Sequence, residues 1–350
     1  MKRLILFFVL LTSSLTLPAQ RITTYVSPVD YKNYVMYRFE QINRAIYAAV
    51  YNGRVTAYAD NGFGEAYSKE NLRSLGSHEE IVSVYLDPND PYAYTDTLIV
   101  SPLDPMHISS LKFSSPNFTN PATSIEVFYS SYGNIPENTL YFLRSKDIVG
   151  NLAPDDVKLL QFFFQWSEQL NEPQKHWTVD RETLLQFAEA AFSSTSIQLY
   201  LSVKNGATAY RNDSLASHYS QEDALKMGSM MEMMQLQNEE GEFSVDTLVF
   251  TPFDYTTIAG IAVAEDLVAS RTKYTGTITA LAPMYNHYLG GIQLPKMPMF
   301  YIKYPETAKA IRQADMELLL TVIHFSRLAK NAPNRYNSRW YEEYSEEADY

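Results

Sequence analysis

The sequence predicts an α+β fold of two similar domains in tandem, each with helices packed on a small, mainly antiparallel sheet. The segment DTLIVSPLD recurs 150 residues later as DTLVFTPFD. Further pairs of similar segments occur in the same order around these two copies, and each series closes with an apolar segment of helical spacing. A repeat of this length is far too long for a solenoid, so we interpret it as an internal duplication of a domain.

The first 19 residues have the pattern of a secretory signal peptide. Lys2 and Arg3 precede a short apolar run that cannot span a bilayer as a helix. Ala19 fits the cleavage position, and the mature chain would begin at Gln20. No other stretch approaches ~18 uninterrupted apolar residues. We therefore expect an exported, periplasmic protein without a transmembrane span.

The composition is acidic, aromatic and free of cysteine. Without the signal peptide, 26 basic residues stand against 40 acidic ones, and no run of Lys or Arg occurs. Nucleic-acid binding needs a basic patch that neutralises phosphates, so this class of function is excluded. The absence of cysteine excludes disulfides and requires a sufficient buried core. The 27 Tyr and 18 Phe suit cores and protein interfaces.

Each predicted domain opens with a long helix. Apolar residues repeat at helical spacing in YVMYRFEQINRAIYAAVYNG, and Asn52-Gly53 ends this helix because Gly accepts the left-handed cap conformation. RETLLQFAEAAFSS begins the corresponding helix of the second domain, and Asn205-Gly206 is the corresponding end.

A polar segment of helical spacing follows in each copy. SKENLRSLGSHEE and SQEDALKMGSMMEMMQ begin with predicted N-caps, Ser68 and Ser220. The second helix would carry four methionines on one face: Met227, Met230, Met231 and Met234. We interpret this stripe as core or as an adaptable contact surface, with copper(I) binding as the alternative. Met230 and Met234 are therefore candidate interface residues.

The repeated nonapeptides predict strands. DTLIV and DTLVF are β-branched runs that end at Pro102 and Pro252, and Asp104 and Asp254 then suit turn positions. Further strand candidates are SIEVFYSSY with TITALAPMY, and TLYFLRS with PMFYIKY; the closing helices are DDVKLLQFFFQW and MELLLTVIHFSRL. The functional alternative for the phrase, with Asp96 and Asp246 as paired catalytic carboxylates, would need a pocket that raises one pKa.

These segments place the domains at residues 20–170 and 178–334, with a linker at residues 171–177 and an acidic, aromatic tail at residues 335–350. Trp, Tyr and Arg dominate binding hot spots. The tail therefore predicts a protein interface formed by Arg335, Tyr336, Arg339, Trp340, Tyr341, Tyr344 and Tyr350.

Catalytic signatures are sparse. Ser109 and Lys112 match S-x-x-K, in which Ser attacks and Lys activates, but no S-D-N element accompanies them. An exported serine hydrolase is therefore an alternative function, and so is a small-ligand-binding protein that uses the cleft between the two repeats. The six His lack zinc spacing, and YADNGFGEAY and DPNDPYAYTD lack that of a calcium loop. We predict no enzyme activity, metal or cofactor.

The second half resembles a known family. TITALAPMYNHYLGG, PMFYIKYPETAKAI, a long helix and the final ADY are similar, in this order, to the GldN/PorN family of gliding-motility and type IX secretion proteins. SVKNGATAY and DTLVFTPFD resemble a more upstream region of that family. The likeness covers residues 180–350. PMFYIKY lacks the family's Trp, so a divergent paralogue is an alternative to an orthologue.

The resemblance implies a non-enzymatic periplasmic scaffold protein. Its partners would be other envelope proteins, including an outer-membrane lipoprotein of a ring-like structure, and it would be oligomeric in the assembly.

Overall fold

The computed structural model describes residues 20–85, 94–130, 138–170, 177–237, 243–269, 274–289 and 292–331. The predicted signal peptide, the predicted tail and most of the predicted linker lie outside these ranges. Helices and strands are mixed, and every described strand pair is antiparallel, which confirms the α+β class.

The elements occur in two series with the same order. The first series is β1 Gln20–Val26, α1 Pro28–Tyr51, α2 Lys69–Ser74, β2 His78–Tyr85, β3 Tyr94–Ser101, β4 Ile108–Phe113, β5 Ser124–Tyr129, β6 Asn138–Arg144, α3 Ser145–Val149 and α4 Pro154–Ser167. The second series is β7 Thr178–Asp180, α5 Arg181–Lys204, α6 Gln221–Lys226, β8 Met230–Gln237, β9 Phe243–Thr251, β10 Gly260–Ala269, β11 Tyr274–Leu289, β12 Ile292–Pro298, β13 Ile302–Lys303, α7 Tyr304–Ala310 and α8 Gln313–Asn331. Among the described α-helices and strands, only β12 of the second series lacks a counterpart in the first.

The described chain forms two compact units. The N unit contains residues 32–188, and the C unit contains residues 20–31 and 189–331. The N unit has a four-stranded sheet of order β6-β5-β4-β7 and a separate hairpin of β2 and β3. The C unit has a sheet of order β1-β10-β11-β12, in which β13 also pairs with β11, and a separate hairpin of β8 and β9.

Each main sheet takes an edge strand from the other series of elements. Strand β7 opens the second series, but it pairs with β4 of the N unit, where Leu111 lies opposite Val179. Strand β1 opens the first series, but it pairs with β10 of the C unit, from Gln20 opposite Leu267 to Val26 opposite Ile261. Because β1 and β7 each precede the long helix of their series, the exchange of strands is reciprocal.

The ends of the long helices follow the sequence prediction. Helix α1 ends at Tyr51, and Gly53 then adopts a φ of 71°. Helix α5 ends at Lys204, and Gly206 adopts a φ of 101°. This left-handed conformation is available to Gly because it has no Cβ. Both Asn-Gly pairs are therefore confirmed as helix ends.

The predicted N-caps and turns are also confirmed. The Ser68 Oγ accepts a hydrogen bond from the backbone N–H of Asn71 at 3.2 Å, and the Ser220 Oγ accepts one from Asp223 at 3.1 Å. Strands β3 and β9 end immediately before Pro102 and Pro252. The carboxylates of Asp104 and Asp254 then cap short 3-10 turns by accepting from the backbone N–H groups of Met106 and Thr256.

The two polar segments are not helical throughout, which corrects the prediction. Helix α2 ends at Ser74 and α6 at Lys226. Gly76 and Gly228 then adopt φ values of 66° and 76°, which no helix continues through. The residues that follow form strands β2 and β8, because pairing with β3 and β9 overrides their helical spacing.

The prediction that the four methionines share one helix face is consequently wrong. Met230 and Met234 lie in β8, beyond the turn at Gly228, whereas Met227 follows the end of α6. Strands β4 and β10, which are interior strands of the two main sheets, were not among the strands predicted from the sequence.

The two cores are built from different side chains. In the N unit, Phe164 packs edge-on against Phe113 and Phe163, with ring centroids 5.0 and 5.5 Å apart. In the C unit, the paired strands β10 and β11 place buried alanines opposite one another, such as Ala262 opposite Ala282. The C-unit core also contains buried aromatic rings, such as Phe192 and Phe300, so the alanine pairs are its distinguishing feature.

Each unit also contains an ion pair whose carboxylate is buried. In the N unit, Arg38 of α1 contacts Asp156 of α4 at 2.7 Å. Burial raises the pKa of Asp156, and the neighbouring Arg38 opposes this rise. In the C unit, Arg327 of α8 pairs with the fully buried Glu265 of β10. A buried charge costs stability unless it keeps its partner, so both arginines are expected to be structurally important.

Candidate interaction surfaces

Strands β2 and β3 of the N unit form a hairpin whose described residues are largely exposed. Its strands pair only with each other among the described residues, so both outer backbone edges are open. Every residue of β3 is exposed. Open strand edges offer unpaired N–H and C=O groups to another chain.

One face of this hairpin carries large, exposed apolar side chains. Ile81 lies directly opposite Leu98, and their side chains are 70% and 56% exposed. Strand alternation places Tyr94 and Val100, also more than half exposed, on the same face. We call these four residues the hairpin face. A contiguous exposed patch of large apolar side chains marks a surface for protein contact.

The hairpin face also carries acidic groups. Glu79 lies opposite Val100, and Asp96 lies opposite Ser83, whose hydroxyl donates to the Asp96 carboxylate at 2.7 Å. Asp96 is thus an exposed carboxylate of the β2–β3 hairpin, while Asp246 lies in β9 of the other hairpin. The structure therefore gives no support to the alternative that pairs these two residues in a catalytic pocket.

A cavity of about 420 Å³ lies where helices α1 and α2 meet the base of the hairpin; we call it the corner cavity. Its inner wall includes Tyr47 and Tyr51, whose rings stack with centroids 4.1 Å apart. Lys69 and Arg73 of α2 are exposed at its rim, and Val100 and Pro102 line the hairpin side. The cavity thus combines an aromatic wall with two cationic groups.

The tyrosines of this cavity stay neutral at physiological pH. Burial raises the pKa of Tyr51 to about 12, and it also raises the pKa of Tyr47. Neither phenol therefore offsets the positive charges of Lys69 and Arg73. Lys69 and Arg73 favour an anionic ligand at the rim, where Glu70 of the same helix partly offsets their charge.

The corresponding corner of the C unit is filled by the chain itself. Tyr200 of α5 stacks on Tyr255, with ring centroids 5.7 Å apart, and its ring lies 5.8 Å from that of Phe253. The first and fifth residues of α6 are Gln221 and Leu225, whereas α2 has cations at these positions. Aromatic side chains thus occupy one corner, and the other is open and cationic.

The predicted interface residues can be placed only in part. The seven residues of the tail lie outside the described residues. Met230 and Met234 lie in β8, and the structure describes their backbone only. The hairpin face and the corner cavity were not predicted as surfaces.

The S-x-x-K pair does not have catalytic geometry. Ser109 and Lys112 both lie in strand β4; the pairing with β5 is irregular at Ser109, whereas Lys112 lies opposite Glu126. The Ser109 hydroxyl is buried, whereas the Lys112 side chain is exposed. A base must lie within hydrogen-bond reach of its nucleophile. This structure therefore does not support the serine-hydrolase alternative.

Two further results concern metals and membranes. Within the described ranges, no three His, Cys, Asp or Glu residues are grouped so that they could hold a metal ion. In YADNGFGEAY, the Asp60 carboxylate accepts the backbone N–H of Gly62 at 2.7 Å, as expected of a turn residue. None of the described helices is both long and apolar enough to cross a membrane.

Comparison with protein-family models gives a match to part of the chain. A family model described as "Gliding motility associated protein GldN" matches residues 184–334. A search of curated proteins finds no match. The matched range extends from α5 past the end of α8, and it contains the hairpin of β8 and β9. It confirms the resemblance that the motif order of the second half predicted: residues 184–334 are similar to the GldN family.

Proposed function

We propose that the chain is a non-enzymatic scaffold protein of a gliding-motility or type IX secretion-like machine, exported to the periplasm. Its partners are other envelope proteins, including an outer-membrane lipoprotein of a ring structure, and it is oligomeric in the assembly. The GldN match over residues 184–334 supports a role in such a machine, and the signal-peptide pattern of residues 1–19 supports export.

The hairpin face is the observation that carries the proposed binding role. Burying one large apolar side chain completely contributes about 1.5 to 3 kcal/mol, so a partner that covers Ile81, Leu98 and their neighbours gains several kcal/mol. The open edges of β2 and β3 also allow a partner strand to continue the sheet. The tail and Met230 with Met234 are proposed as further contact regions.

We also propose that the two element series arose by internal duplication. Unusual backbone conformations recur 152 residues apart: Phe63 and Leu215 are non-glycine residues with φ values of 58° and 59°. Backbone pairs recur too, since Tyr58 exchanges hydrogen bonds with Phe142, and Tyr210 exchanges them with Tyr301. The proposed repeats span residues 20–170 and 178–334, with the linker at residues 171–177.

The hairpin face is tested by substitution in the full-length protein. Ile81→Ser combined with Leu98→Ser removes the central apolar pair and leaves the backbone ladder in place. After cross-linking in the native envelope, we expect the double variant to recover at least about tenfold less of its partners, since the loss of two buried side chains exceeds 1.4 kcal/mol.

The matched control is Leu170→Ser, because Leu170 is also exposed and apolar but lies outside the hairpin. It should leave partner recovery unchanged. If the hairpin variant keeps its fold and recovers the same partners in the same amounts, the proposed role of the hairpin face is wrong.

A further inference from the structure

The corner cavity of the N unit lacks the aromatic side chains that occupy the corresponding corner of the C unit. In the C unit, Phe253 and Tyr255 follow strand β9 and pack against Tyr200. In the N unit, the corresponding positions after β3 hold Leu103 and Pro105, which have no aromatic ring. The N unit therefore leaves an aromatic wall at Tyr47 without the rings that the C unit supplies.

The cationic side chains at the rim of the cavity favour a ligand of negative charge. Lys69 and Arg73 are four residues apart on α2, so their side chains lie on one side of this short helix. A ligand that places an aromatic ring on the wall would meet both cations with its flanking groups. Flanking carboxylates would therefore be favoured over neutral or basic groups.

One segment of this chain has that chemistry. WYEEYSEEADY, residues 340–350, has four aromatic and five acidic residues, without any Lys or Arg. The first aromatic pair, Trp340 and Tyr341, directly precedes Glu342 and Glu343. With this order, an aromatic ring of the segment can lie on the tyrosine wall while the neighbouring carboxylates lie at the cations of the rim.

We propose that the corner cavity binds the segment 340–350 of this chain, with an aromatic ring against Tyr47 and acidic groups at Lys69 and Arg73. The proposal rests on the proposed role of the tail as a protein interface, and it names the surface that the tail recognises. Binding within one chain fills the cavity, whereas binding between two copies links successive molecules head to tail.

The test uses the full-length protein with the photo-reactive residue p-benzoylphenylalanine in place of Tyr341. After irradiation of the purified protein, mass spectrometry should map cross-links to the elements that line the cavity, residues 47–51, 69–73 and 100–102. Lys69→Glu combined with Arg73→Glu should lower the cross-link yield about tenfold, because two attractive charge pairs become repulsive.

Two further variants separate charge recognition from damage to the fold. Glu342→Lys combined with Glu343→Lys, added to the Lys69→Glu and Arg73→Glu protein, should restore most of the yield. Lys226→Glu reverses one exposed charge on α6 of the C unit and should leave the yield unchanged. The size of the cross-linked species shows whether the tail belongs to the same copy or to a second copy, and both results support the cavity as its site.

Cross-links that map elsewhere, or a yield that the charge reversals do not change, would overturn the inference. If irradiation in cells joins position 341 to another envelope protein and never to the cavity, the inference fails. The proposed role of the tail would then still stand.

Discussion

The N unit and the C unit share the same arrangement of helices and strands but differ in the side chains that these elements carry. Both have a hairpin apart from the main sheet, a capped short helix and a Gly of positive φ before the hairpin, Gly76 in one and Gly228 in the other. A Cβ at these glycines would lie 3.0 Å from Leu103 and 2.7 Å from Phe253. The shared arrangement of elements thus depends on the backbone conformation of these glycines and on the side chains that approach them closely. The side chains of the cores and surfaces differ between the two units.

This comparison bears on the family match. The GldN model covers residues 184–334, which leaves the whole first element series unmatched although its element order is the same. The same order of elements can be formed by different side chains, because caps, glycines and strand pairing need few specific residues. The open, cationic corner of the N unit is one such difference between the two series.

The largest expected effect concerns the buried ion pair of the C unit. Arg327→Leu leaves the buried Glu265 without its cation, and we expect a loss of about 3 to 5 kcal/mol in the free energy of unfolding. Arg21→Leu is the control, because Arg21 pairs with Asp266, the next residue of β10, at a partly exposed position. Its loss should stay below about 1 kcal/mol.

Chemical denaturation of both variants measures the difference. Since Arg327 and Glu265 belong to the C unit, hydrogen exchange should locate the loss there and leave β4 and β5 of the N unit protected. Equal losses for the two arginines would show that burial does not determine the importance of these pairs.

A smaller effect tests the exchange of edge strands. Val26 and Val179 are fully buried and lie opposite Ile261 and Leu111. Each Val→Ala substitution should cost roughly 1 to 3 kcal/mol, because it removes methyl groups from a packed core. Val26→Ala should increase amide exchange in β10 of the C unit, and Val179→Ala should do so in β4 of the N unit.

The two variants control for each other. If Val26→Ala instead raised exchange mainly in the main sheet of its own element series, β4 to β6, the reciprocal pairing would be wrong.

Sequence reasoning predicted the local devices of the fold. Ser68, Ser220 and the two Asn-Gly pairs signal helix limits through their own side chains or their own flexibility, so their neighbours are not needed to interpret them. It failed where strands that are distant in the sequence determine whether a segment becomes a strand. GIAVAEDLVA and ISSLKF become central strands only because other strands pair on both sides.

The edge-strand exchange and the corner cavity were beyond prediction for a similar reason. The partner of β1 is more than 230 residues away, and β7 has only three residues. The cavity combines Tyr47, Arg73 and Val100 from three separate elements, and none of these residues is unusual in its own segment. Similarly, DTLIV predicted a strand, but alternation alone does not show that both of its faces stay exposed.

The central claim is that the two halves of the chain build their sheets jointly. A protease site inserted in the linker, residues 171–177, of the full-length protein allows the backbone to be cut without removing any described strand. After cleavage, size-exclusion chromatography in native buffer should give one species that contains both halves, and denaturant should separate them. Halves that separate in native buffer, each folded and monomeric, would contradict the account.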